Sequence, residues 1–187
     1  MKIFLFIIAI GIVITGTILV ATHRYPVAIV NMSWITARDF NAVHAASYRF
    51  YMRALETYGK EQPGAAEQAT LDAEIRRASL DRLIEKELIW AEAKTEIPEL
   101  AQKIEEKIKN VNSQKLQNPV REMYGLSVEE FRHQVLAPQA VQELLAAALA
   151  ARGESLMAHL ITSRKNARVI LLLSGFAWIE KGVELKK

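Results

Sequence analysis

The uncharged run at the start of the chain constrains its architecture more than any other feature. From Ile3 to Ala21 there are nineteen residues without a charge, interrupted only by Gly11, Thr15, Gly16 and Thr17. As a helix rising 1.5 Å per residue, the run covers roughly 28 Å, enough for the hydrocarbon core of a bilayer. A cleaved secretion signal has a shorter apolar stretch and a small-x-small end, whereas Leu19-Val20-Ala21 begins with a bulky residue. We therefore read residues 1–22 as a retained, single-pass transmembrane signal anchor. Lys2 precedes the run and His23 and Arg24 follow it. With the α-amino group, that weak asymmetry favours a cytoplasmic N-terminus and places residues 23–187 outside the cytoplasm. The chain has no cysteine, so neither thioether lipid attachment nor a disulfide framework is chemically available.

The anchor also accounts for the composition. Of the 187 residues 51% are apolar, and sixteen of the first twenty-one belong to that set; what remains is an ordinary globular proportion. Lys and Arg number 24 against 21 Asp and Glu, and the two signs interleave for a net charge of +3. Such a balance implies no strongly salt-dependent phosphate binder, and no nucleic-acid partner is expected.

Beyond residue 22 the pattern reads as mainly α. Val27-Ala28-Ile29-Val30 is a short strand, and Asn31 to Ile35 reads as a turn leading to a helix. Thr36 with Asp39 forms a capping box, and Phe40, Val43, Ser47, Phe50 and Ala54 follow at intervals of three and four up to the stop at Gly59. After a loop containing Pro63-Gly64, Thr70 is the expected cap of a long helix to about Thr95, its stripe formed by Leu71, Ile75, Ala78, Leu80, Leu83, Ile84, Leu88 and Ala91. Pro98 opens a third helix with Leu100, Ile104 and Ile108 inward, and Asn118-Pro119 is expected to bar any continuation. Ser127 and Glu130 form a second capping box, opening a helix with Phe131, Val135, Val141, Leu144, Leu145 and Ala148 inward and a kink at Pro138. A short amphipathic stretch with Leu156, Met157, Leu160 and Ile161 completes a helical domain over residues 23–166. Residues 167–187, β-branched and turning at Ser174-Gly175, read as a hairpin-like tail.

No catalytic constellation emerges from this pattern. His23, His44, His133 and His159 are scattered and form no metal-ligand spacing, and no nucleophile elbow or glycine-rich phosphate loop occurs. We therefore expect no metal and no cofactor. Glu85-Lys86-Glu87 and Glu105-Glu106-Lys107 read as solvated helix faces, and Ser127 as a cap. The aromatic residues carry more information. Tyr48 and Tyr51 lie off the seam traced by Phe50, so one helix presents aromatic groups on more than one face and can line an apolar groove for extended peptide. The candidate peptide-binding residues are Tyr48, Tyr51, Met52, Trp90, Met123, Tyr124 and Phe131, with the methionines as pliable surface. Each of them also suits plain core packing.

The segments VAIVNMSWITARDF, LDAEIRRASLDRLIEKELIWAEAK and YGLSVEEFRHQVLAPQAVQELL together resemble the SurA N-terminal chaperone domain, which the anchored folding factors PpiD and PrsA share. The likeness spans roughly residues 27–150, and Met32 stands where the family's turn usually carries glycine. It implies an extracytoplasmic helical domain that holds unfolded polypeptide through apolar contacts. A parvulin isomerase domain would need roughly a hundred residues, and nothing after Ala150 resembles one, so no isomerase activity is expected. The closing ARVILLLSGFAWIEKGVELKK resembles the tail of isomerase-free relatives and is expected to return and pair with Val27–Val30. The expected fold is thus mainly α, with one transmembrane helix and a short strand pair formed by segments near both ends of the domain.

Three functions follow from this reading. The first is a membrane-tethered, ATP-free holdase for unfolded or exported polypeptides. An adaptor for one envelope protein is the alternative, and a degenerate prolyl isomerase is the third.

Overall fold

The computed structural model describes residues 22–109, 111 and 113–186. The expected anchor run lies outside these residues. Among the described residues, no helix is long and apolar enough to cross a membrane.

Strand β1 (Pro26–Val30) turns directly into β2 (Ser33–Thr36), in antiparallel register with Ile29 opposite Trp34. This corrects the reading of Asn31 to Ile35 as a turn alone. Asn31 and Met32 both have positive φ, 47° and 76°, the geometry of a two-residue hairpin turn that matches strand twist. The chain therefore reverses within two residues and leaves Ser33–Thr36 free to pair. Strand β3 (Val169–Leu171) adds to the other side of β1, with Val30 opposite Val169. The expected pairing of the tail with Val27–Val30 is present. Asn31 seals it, since its amide donates to Arg168 O at 3.0 Å and its Oδ1 accepts from Arg168 N at 2.9 Å.

Helix α1 (Ala37–Thr57) begins at Thr36, whose side chain accepts from Asp39 N, and the chain turns away at Gly59 with φ 61°. The next helix, α2 (Ala65–Glu96), has 32 residues and is about 48 Å long. It starts five residues before the expected cap at Thr70. Gly64 caps it, its N–H donating to Glu67 at 3.1 Å, while the Thr70 hydroxyl donates within the helix to Ala66 O. Ala78 and Ala91 are exposed rather than inward, and Ile89 and Ala93 are buried. These positions rotate the buried face along α2, because the helix meets different partners at its middle and its end.

Two cores follow from that rotation. The first joins β1, β2, the start of α1 and Leu80, Leu83, Ile84 and Leu88 of α2, capped by Phe176 and Val183. Those last two come from the hairpin of β4 (Phe176–Ile179) and β5 (Gly182–Leu185). The second gathers Ile89 and Ala93 with three further helices: α3 (Leu100–Lys109), α6 (Ala137–Ala150) and α7 (Leu156–Asn166). In α7 only Leu160 is buried, and Met157 and Ile161, expected inward, are exposed.

A charged clamp fastens β5 to α2. Asp81 Oδ1 accepts from Val183 N and from Arg164 Nη1, both at 3.1 Å, and Arg164 also reaches Glu85 and Lys181 O. Gly182 sits against this clamp with φ 140°, and a Cβ there would lie 2.7 Å from Asp81 Oδ1. Only glycine allows that approach.

A third and smaller core holds α4 (Ser113–Tyr124) and α5 (Val128–Phe131) against α1. Ala46, Val120 and Leu126 are its buried residues. Pro119 lies inside α4 rather than ending it. Burial of the neighbouring Val120 outweighs the lost ladder hydrogen bond.

Candidate apolar groove

An apolar depression of about 340 Å³ opens between α1, α2 and the segment after α5. Its floor on α1 is Val43, Ala46 and Phe50, with Tyr51 at the rim; Ile75 and Leu83 of α2 form the facing wall. Those α1 positions recur at three and four residues, so the stripe expected to face a partner helix is only part covered, and Phe50 and Tyr51 stay 40% and 41% exposed.

The third side has an unusual backbone. Between α5 and α6 the helix continues through a π-turn, Arg132–Leu136, in which Ala137 N donates to Arg132 O. Pro138 follows at once and supplies no N–H, so widening the preceding turn lets the helix run on where a kink is expected. Gln134 and Val135 of that wide turn and Pro138 itself line the groove. The second capping box stands just before it: Ser127 Oγ accepts from Glu130 N at 3.2 Å, and Glu130 accepts from Ser127 N at 2.8 Å. The Ser127 backbone and hydroxyl hydrogen bonds hold the Glu130 carboxyl below its ordinary pKa.

An aromatic row closes the far end. Phe50 stacks on Tyr124 at 5.1 Å between ring centroids, and Tyr124 meets Phe131 at 5.4 Å. Asp39, Ser47, Arg82, Lys86 and Gln134 give the remaining lining a polar, mixed-charge character. The site offers apolar burial with a few polar groups at its border.

Of the residues expected from the sequence, Tyr51 and Tyr124 line this groove and Phe131 supports Tyr124 from behind. Trp90 lies in an adjoining depression of about 280 Å³, which shares Arg82, Lys86, Val135 and Pro138 with the groove. Tyr48, Met52 and Met123 fall elsewhere. Tyr48 turns toward His44, with ring centroids 6.2 Å apart, and Met52 and Met123 are half-buried outside the lining. Helical phase is the reason, since one turn of α1 presents Ser47, Phe50 and Tyr51 to the groove and carries Tyr48 and Met52 away. Sequence reasoning missed Val135 and Pro138 as groove residues, and the proline behind a capped apolar stretch is the signal that marks them.

Three of the four histidines lie beside a carboxylate. His44 lies 2.8 Å from Asp72, His133 3.0 Å from Glu129 and His159 3.2 Å from Glu92. Among the described residues no group of three or more His, Asp or Glu could hold a metal.

The described residues thus form a helical domain with an open apolar groove and a sheet drawn from both its ends. The sequence profile of the SurA-like N-terminal domain matches residues 1–145, and the chain belongs to that family. This is the non-catalytic, chaperone-related part of such proteins, and no parvulin domain is matched within the 187 residues. The matched region ends inside α6, so α7 and β3 to β5 lie beyond it. No curated protein and no solved structure matches the chain.

Proposed function

We infer that the protein is a membrane-tethered extracytoplasmic holdase, which binds unfolded or newly exported polypeptides in the groove without ATP. The observation that supports this most directly is the groove itself: an open apolar depression of about 340 Å³ whose aromatic rim is left 40% exposed, in a chain of a chaperone-related family. An apolar side chain of a client entering it removes surface from water at about 25 cal/mol per Å². Weak, reversible capture is the expected result. The uncharged run of Ile3–Ala21 would hold the groove near the membrane and raise its effective concentration for emerging chains.

The test uses residues 23–187, which contain all three cores. At modest molar excess the domain should suppress aggregation of several unrelated unfolding proteins. Replacing Tyr51 by alanine should weaken that suppression while leaving the melting temperature nearly unchanged. Equal losses in both would mark Tyr51 as a packing residue. Capture of one envelope protein alone, with no effect on unrelated clients, would replace the holdase reading by the adaptor.

A further inference from the structure

Among the described residues, the outer face of the three-stranded sheet from Ile29 to the hairpin turn is apolar and partly exposed, whereas Val27, at the register shift of β1, is buried in the core. Side chains alternate across a strand, so Ala28, Val30 and Ile35 face the core while Trp34, Ile29 and Ile170 form one cross-strand row on the opposite side. Trp34 is 62% exposed and Ile170 42%. Leu172, tied to β1 through its N–H to Val27 O, and Met32 at the hairpin tip extend the strip to both ends of β1.

Met32 carries a separate message. Its φ of 76° suits glycine, yet the position holds a long apolar side chain that is 90% exposed and touches no core. A strained backbone that presents an apolar group to the outside points to a role for that group beyond the fold.

The two stretches of chain that build and flank the sheet carry charge of one sign, with Asp39 at the Thr36 end of β2 and Glu92 near Asn31 as acidic neighbours from outside them. No Asp or Glu occurs from Thr22 to Arg38 or from Ser163 to Leu173, the two stretches that build and flank the sheet, whereas Arg24, Lys165 and Arg168 all lie there and are exposed. Neither Arg24 nor Arg168 has an ion pair among the described residues. Position adds the last element. Tyr25 O and His23 O accept from Ala37 N and Arg38 N, which fixes the chain beside the sheet within a few residues of Ala21, where the apolar run ends.

We propose that this sheet face rests on an anionic lipid surface, with Trp34, Met32 and Ile170 in the interfacial layer and Arg24 and Arg168 beside the headgroups. Tryptophan amid apolar groups, ringed by basic residues, is the combination that the membrane interface selects. The inference rests on residues 1–22 being an anchor. It adds an orientation, since a domain held by its sheet face cannot swing freely on its tether.

The full chain lacks cysteine, so M32C and Y58C each offer one spin-label site. Tyr58 is 79% exposed and lies at the far end of α1, a helix of 21 residues and about 30 Å in length. Both variants are reconstituted in phosphatidylcholine vesicles with and without phosphatidylglycerol. The label at 32 should be more accessible to oxygen than to a water-soluble nickel chelate, the label at 58 the reverse, and the excess at 32 should shrink without phosphatidylglycerol. Replacing Trp34 and Ile170 together by serine should return the label at 32 toward water at an unchanged melting temperature. A label at 32 that reads like the one at 58, in chains that float with the vesicles, overturns the proposal. So does shielding from both reagents, which means that protein covers the face, or dipolar broadening, which means a second copy. Chains that fail to float refute the anchor and the proposal together.

Discussion

The sheet end and the groove wall are consolidated very differently. Among the described residues, twelve buried ones between Val27 and Val183 meet in the first core, and the Arg164–Asp81 clamp locks the last hairpin onto it. The core behind the aromatic row has three, Ala46, Val120 and Leu126. Apolar burial is the main stabilising term, so α4 and α5 should open locally at a free energy well below that of the sheet. The difference teaches where adaptability resides: the groove has one firm wall, on α2, and one that can yield.

The sharpest way to break this contrast is to cut into each core. Ile84→Ala removes a side chain that is fully buried in the first core and should cost about 2–5 kcal/mol, read as a fall in the denaturation midpoint of the whole domain. Asp81→Ala strips Arg164 and Val183 N of their shared acceptor. It should cost about 2 kcal/mol, below the figure for a fully buried pair because the clamp is partly solvated. Hydrogen exchange should then speed up first in β4 and β5. Val120→Ala in the small core should cost about 1–2 kcal/mol. Its effect should be confined to exchange in α4 and α5, and an equal acceleration in β1 would show that the two regions unfold as one.

The smallest effect is an acid one. The Glu130 carboxyl is held below the ordinary value of 4.5 by its hydrogen bonds to Ser127. A folded pKa lower than the unfolded one contributes stability that is complete above about 4.5 and is lost as pH falls through the folded value. Amide exchange of α5, referenced to β1 at each pH, should therefore rise in acid in the native chain. In Glu130→Gln that extra acid dependence should vanish.

Much of the frame was readable from local chemistry. Thr36 with Asp39 and Ser127 with Glu130 satisfy helix-end amides with their own side chains, so the signal and the structure sit within four residues of each other. Val27–Val30 and the β-branched tail could be matched because each needs a partner strand. Errors arose where distant packing outvoted the local rule. Pro119 stays helical because Val120 is buried, and Pro138 is accommodated by a π-turn that no spacing announces. Asn31 to Ile35 reads as one turn because methionine is a rare occupant of positive φ, so the two-residue reversal at Asn31-Met32 that frees Ser33–Thr36 to pair goes unannounced. The groove is legible in the sequence to the extent that Tyr51 and Tyr124 line it and Phe131 packs on Tyr124. Tyr48 and Tyr51 both lie off the Phe50 seam, and only the packing of α1 against α2 decides that Tyr51 borders the groove and Tyr48 does not, while Met52 and Met123 lie outside its lining.

The bond from Arg168 N to Asn31 Oδ1 spans 137 positions of the chain. At a synthesis rate of about 5–20 residues per second, the strand that completes the sheet follows its partner by roughly 7–30 s. For that interval β1 has an open edge and an apolar inner face, the same properties that make an emerging polypeptide vulnerable. Under the proposed holdase reading, the chain is during that interval a candidate client of its own kind.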